Sequence, residues 1–304
     1  SADLIDAVNR LSRIDLAVAK GKLAKELDAQ ELHVTGSQGW LREAPGELRL
    51  VQARHPLLAG DVVANTIIVG GEHSALLITG PNTGGKTVAL KTAGLLTLMA
   101  LAGLPIPADK GSTVPIYESV FADIGDEQSI EQSLSTFSGH ITSIISVLER
   151  ANEQSLVLLD ELGAGTDPTE GAALAVAIVD RLLARGAALI ATTHHSELKL
   201  YAHRTARVVN ASVEFDLQSL SPTYRLTIGL AGQSNALAIA ANLGMPREVI
   251  ESARKGLSSE DRALESMLGE LRGQLATADE RAAQATADAE RAETLYARNW
   301  IAVN

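Results

Sequence analysis

The sequence predicts an α/β domain with a mostly parallel sheet. Three observations carry this: compact apolar runs recur along the middle of the chain, segments of helical period lie between them, and one run ends in a glycine-rich turn that opens a helix. At 304 residues and 46% hydrophobic composition the chain can bury a core in one large domain or two smaller ones.

The elements follow in order. Over 3–28, Leu4, Ile5, Val8, Leu11, Ile14, Leu16 and Leu23 fall at helical spacing between charges, which predicts an amphipathic helix. Strand-like runs come at 48–51 and 65–69, the second closed by Gly70-Gly71. The run 75–79 leads into glycine, and a helix over 86–102 ends at Gly103 and Pro105. Runs at 113–117 and 119–124 precede a helix over 137–152, a strand over 155–159, a helix over 168–184 and a strand over 187–192. A hairpin is expected from 207–217 and 224–228, turning at Ser219-Leu220-Ser221-Pro222. Helices over 234–241 and 247–254 follow, separated by Gly244 and Pro246. From Leu264 to Tyr296 apolar positions step by four and three, a heptad seam whose second half is nearly all alanine.

Composition excludes several classes. The chain has no cysteine, so a disulfide framework and a Cys-ligated zinc site are ruled out. The net charge of -11 opposes a non-specific nucleic-acid clamp, and 3% aromatics disfavours a stacking platform for single strands. No apolar run is long enough to span a bilayer, and the start at Ser1 lacks the pattern of a secretory leader, so a soluble, cytoplasmic protein is expected. Without an initiating Met, the chain reads as an excised or processed piece.

The most specific motif is Gly80-Pro81-Asn82-Thr83-Gly84-Gly85-Lys86-Thr87, a match to G-x-x-x-x-G-K-[ST] between an expected strand and an expected helix. In that setting backbone N–H groups and the helix N-terminus cradle phosphates, Lys86 reaches the β and γ oxygens of ATP, and the Thr87 hydroxyl ligates magnesium. The apolar strand 155–159 ends in Asp160-Glu161, two carboxylates that divide two jobs. Asp160 holds magnesium and Glu161 takes a proton from the attacking water. The strand before His194-His195 puts an imidazole at its tip, and His194 is the candidate to contact the γ-phosphate or that water. The hydroxyl-rich run Ser133 to His140 is expected just before a helix, where it suits gripping a phosphate, which need not be the one bound by its own subunit.

In combination these motifs resemble the ATPase domain of the MutS family over about residues 50–255: T-G-P-N-x-G-G-K-[ST] at Thr79 to Thr87, S-T-F at Ser135 to Phe137, the block Asp160 to Thr166, Ala191-Thr192-Thr193-His194 with Glu197-Leu198, and Arg54-His55-Pro56 with Ala64-Asn65 at the edge of the nucleotide pocket. Thr87-Val88, Thr166 to Gly171 and Ser138-Gly139-His140 are more similar to the second bacterial MutS branch. The resemblance implies an ABC-type P-loop NTPase fold and a homodimer whose ATP sites lie between subunits, with Ser135 acting in trans. It also implies branched DNA from recombination as partner, collided ribosomes as another, and a C-terminal nuclease domain to which no residue here is assigned. A mismatch-repair MutS and an ATP-gated scaffold with little turnover are the rival readings.

The expected organisation is the end of an upstream helical region over 1–47, the ATPase domain over 48–232, a helical dimerisation segment over 233–257 and the start of a coiled coil over 258–304. One departure stands out: mismatch-repair relatives present an aromatic for adenine where this chain has Val62-Val63.

Overall fold

The computed structural model describes residues 2–29, 39–80, 84–125, 133–216, 219–232 and 236–256, with isolated positions beyond; at 2 and 133–136 only the backbone is described. The heptad seam lies outside the described residues, apart from Ala285. The chain divides into two compact units, 1–239 and 240–304.

The first unit begins with helix α1 (Ala2–Glu26). Its large apolar side chains from Leu4 to Val18 are exposed, Leu4 and Leu11 at 67% and 65%, so helix-forming residues and local pairs such as Arg10–Asp6 at 2.9 Å carry that stretch rather than burial. Strands β1 (Leu41–Glu43), β2 (Leu48–Ala53) and β3 (Asn65–Val69) precede β4 (Ala75–Thr79), and helix α2 (Lys86–Leu101) follows. Next come β5 (Val114–Ile116), β6 (Ser119–Asp123), helix α3 (Ser133–Arg150), β7 (Ser155–Leu159), helix α4 (Pro168–Ala184) and β8 (Ala188–Thr193). A short helix α5 (Ser196–Arg204) leads to the hairpin β9 (Val208–Asp216) and β10 (Ser221–Ile228).

Among the described residues the central sheet has six strands in the order β10-β9-β4-β8-β7-β6, parallel except for the antiparallel β9–β10 edge. Two smaller sheets pair β1 with β5 and β2 with β3. Strands buried on both faces read as continuous apolar runs, as β4, β7 and β8 do. Successive residues then feed opposite cores. Leu76 and Ile78 pack with Leu90, Ala93 and Leu96 of α2, while Ala75 and Leu77 pack with Val147 of α3, Ala175 and Leu182 of α4 and Leu198 of α5. The loops that follow the five mutually parallel strands thus leave from one end of the sheet, the end where Gly80, Asp160 and His194 lie.

Three expectations change. Helix α3 begins at Ser133, so the Ser133 to His140 run forms its first two turns instead of preceding it. Ser221 and Pro222 belong to β10, paired with Asp216 and Phe215, which leaves a tighter turn. Helix α5 was not expected; Leu198 and Ala202, one turn apart, are buried against the sheet and hold it. Helix α6 (Ala236–Asn242) buries no residue, and α7 (Arg247–Gly256), in the second unit, buries only Ile250.

Candidate functional site

Strand β4 delivers the chain to the phosphate loop. Gly80 has φ 129° and Gly85 φ 93°, both in the region where a side chain is strained. Pro81, Asn82 and Thr83, assigned to the loop by the motif, lie outside the described residues. Gly84 and Gly85 lead directly into α2, whose first residues are Lys86 and Thr87. The base of the loop is clamped from far along the chain: the Gly232 N–H donates to Thr79 Oγ1 at 2.6 Å, and a Cβ on Gly232 would sit 2.9 Å from Gly80 Cα.

Lys86 is 2% exposed, and its Nζ donates to the Gly80 carbonyl at 2.7 Å. Burial pulls its ammonium below the ordinary lysine range, and the carboxylates of Glu161 and Asp160 oppose that shift, while Lys199 adds to it. The two strand-end carboxylates therefore face the loop lysine across the site.

Asp160 follows β7 and is itself buried. Its carboxylate accepts from Thr87 Oγ1 at 3.3 Å and from Thr192 Oγ1 at 2.5 Å, and its N–H donates to the Asp123 carbonyl at 2.9 Å. A hydroxyl and a carboxylate brought together beside a phosphate loop fit magnesium, which needs only one or two protein ligands and fills its octahedron with phosphate oxygens and water.

Glu161 has φ 48°, a left-handed conformation uncommon for a non-glycine residue, pinned by its N–H donating to Thr192 Oγ1 at 2.8 Å. Glu161 lines the same small cavity as Asp160. Thr192 thus fixes both acidic residues, through the side chain of one and the backbone of the other. The sequence marks it only as a hydroxyl in an otherwise apolar strand.

At the tip of β8, His194 is exposed and His195 buried, their rings stacked with centroids 4.5 Å apart. Only His194 can meet a ligand from solvent. The backbone of Ser135 lies in the first turn of α3; its side chain lies outside the described residues.

Sequence reasoning missed one wall of a cavity beside the loop. A cavity of about 310 Å³ beside the loop is lined by His55, Val62, Val63, Gly85, Val88 and Tyr224, among others. Val62 and Val63 do stand at its edge, but an aromatic ring arrives from β10. Tyr224 has φ 57° at a register shift between Pro222 and Leu226, and such a bulge re-aims a side chain. Its ring lies where a Cβ on Gly85 would come within 2.9 Å of Cδ1, so only glycine admits it. Asn65 grips both sides of the bulge: its Nδ2 donates to the Tyr224 carbonyl at 2.9 Å and its Oδ1 accepts the Leu226 N–H at 2.7 Å. Burial, and after it Lys91, lowers the basicity of the His55 ring beside the pocket.

Fold and site together define a P-loop ATPase-type α/β domain. Comparison with known proteins gives the rest: residues 76–260 match MutS domain V. The chain belongs to the MutS family, in its MutS2-like branch. It is similar to the Endonuclease MutS2 of Geobacillus thermodenitrificans, 52% identical over 292 residues, which cover 96% of this chain and 36% of that protein. The Endonuclease MutS2 of Brevibacillus brevis is 52% identical over 88% of this chain and 33% of its own length, and that of Listeria innocua 53% identical over 86% and 32%. The chain spans about a third of the length of these relatives. Among the described residues no helix is long and apolar enough to cross a membrane.

Proposed function

We propose that this chain is the ATP-hydrolysing engine of a MutS2-like protein, working as a homodimer. The observation that supports it best is the convergence of Thr87 and Asp160 at 3.3 Å, with Lys86 buried and Glu161 directly after Asp160 in a left-handed backbone conformation. In this reading the N–H groups of Gly84, Gly85 and Lys86 bind phosphate oxygens, and Thr87 and Asp160 hold magnesium. The ion supplies neutralisation of the charge that develops on the phosphate oxygens. Glu161 accepts a proton from the water whose oxygen bonds to the γ-phosphorus while the bond to the β–γ bridging oxygen breaks. His194 hydrogen-bonds the γ-phosphate, and Ser135 of the opposing subunit completes the site in trans. Tyr224 and His55 flank the base.

The output of such an engine is movement: two subunits close on ATP and open after hydrolysis. We assign the cargo to branched DNA arising in recombination, held by parts of the protein beyond these residues, with collided ribosomes as the second candidate. The relatives are named endonucleases, and a nuclease activity in the whole protein is part of the same reading. The test is Glu161→Gln, with nucleotide affinity and steady-state phosphate release measured together. ATP affinity stays within about threefold of the parent while turnover falls about 10²- to 10⁴-fold, the usual share of general-base catalysis. Unchanged turnover would move the base elsewhere. Turnover at the detection limit in the parent as well would favour the ATP-gated scaffold.

A further inference from the structure

Helix α3 is tied to the sheet by a side-chain pair that the site described above does not use. His140 Nδ1 lies 2.7 Å from Asp123 Oδ2, with the two side chains only 25% and 12% exposed. Asp123 is the last residue of β6, and its carbonyl accepts the N–H of Asp160. The pair therefore joins the helix that opens with Ser133 to the strand end one main-chain hydrogen bond away from the magnesium-holding carboxylate. A second contact lies along the same helix face: Phe137 stands beside Gly165 of the loop after Glu161, where an added Cβ would meet Phe137 Cβ at 3.5 Å. Asp123, Phe137, His140, Asp160 and Glu161 line one small cavity.

An α-helix is stiff over two turns, so a bond at His140 fixes where the turn containing Ser135 points, about 7 to 8 Å nearer the helix start. A catalytic hydroxyl misplaced by about 1 Å can cost on the order of 100-fold in rate. We infer that His140, through Asp123, is a positioning residue that aims the start of α3 at the partner's nucleotide, so that its loss is felt at the opposite subunit's site and not at its own. This rests on the dimer reading of the preceding section. A bond that merely stabilised the fold would lower the melting temperature without choosing between the two sites, and one that acted through Asp160 would damage the site of its own chain.

The experiment is made in the intact protein. His140→Phe lowers kcat about 10- to 100-fold, with the ATP dissociation constant unchanged within about twofold, because the phosphate loop is untouched. His140→Asn, whose amide N–H can take the place of Nδ1–H toward Asp123, recovers most of the loss. Asp123→Leu removes the other end of the bond and reproduces His140→Phe, which guards against a variant that fails to fold. Mixing is decisive. In a heterodimer of His140→Phe and Lys86→Ala chains, the one nucleotide-competent site joins Lys86 of the first chain to the α3 start of the second, whose His140 is intact. Activity returns to about a quarter of the parent value per chain under random mixing, half the dimers with one site of two. Ser135→Arg mixed with Lys86→Ala is the control. Recovery in the control but not with His140→Phe overturns the role of His140 and leaves the dimer reading standing. Failure of both in demonstrably mixed dimers overturns the dimer reading, and this inference with it.

Discussion

Replacing Tyr224 by alanine removes the phenol ring from the wall of the cavity and leaves every group assigned to phosphate in place. Stacking of a base on an aromatic side chain contributes about 1–3 kcal/mol when measured by alanine substitution. Tyr224 is 51% exposed, so one face of the ring stays in water and the lower half of that range applies. A loss of about 1 to 1.5 kcal/mol raises the ATP dissociation constant about 5- to 12-fold. ADP is affected equally, because the ring is remote from the γ-phosphate, and Tyr224→Phe retains near-parent affinity. Every purine presents a π face, so GTP competes within about tenfold of ATP in the parent chain and weakens in parallel in the variant. Calorimetric titration at fixed magnesium, with inorganic triphosphate as competitor, measures both halves: triphosphate affinity holds within about twofold while nucleotide affinity drops. ATP binding unchanged in Tyr224→Ala would refute the stacking role. An equal loss for inorganic triphosphate would show that the ring props up the phosphate loop through Gly85 instead.

Two further outcomes test neighbouring features. Asn65→Ala deletes both hydrogen bonds that hold the bulge, each worth about 1 kcal/mol net. The melting temperature then falls by about 4–8 °C for a domain of this size, with ATP affinity shifted in the same direction as in Tyr224→Ala; a melting temperature within 1 °C of the parent argues against the clamp. Lys86→Met raises the melting temperature of the nucleotide-free protein near pH 7 while abolishing nucleotide binding. The sign follows from burial, which lowers the Lys86 basicity in the folded chain: below its folded value both states carry the proton, and folding bears the full cost of the buried charge. That cost fades as pH rises toward the unfolded lysine value of 10.5, so the parent gains on the variant in alkaline solution. A variant less stable than the parent at pH 7 contradicts the reasoning.

Much of this was legible in the residues themselves. The strands over 65–69, 75–79 and 155–159 and the helix over 168–184 stand where periodicity puts them, since strands buried on both faces and a helix capped by Asp167 with Pro168 in its first turn leave strong local signals. The phosphate loop and the acidic pair were legible because their chemistry is local in sequence. The start of α3 was not: serine and threonine compete for their own backbone and read as a cap, whereas Ile144 and Val147, buried about three and four turns on, favour continuing the helix toward Ser133. Tyr224 escaped for another reason. Its position in the cavity depends on a bulge and on an asparagine far upstream, and no pattern within β10 encodes either.

That last dependence orders events in time. Asn65 and Tyr224 are 159 residues apart, and Thr79 and Gly232 are separated by 153. At about 5–20 residues per second, a ribosome completes the phosphate loop at Thr87 roughly 7–27 s before it supplies Tyr224. Throughout that interval the nascent chain carries a glycine loop and a lysine with neither the ring nor the clamp at the loop's base. If this domain is the ATPase proposed above, a nucleotide met during synthesis finds only the phosphate half of its site until Tyr224 and Gly232 have been made.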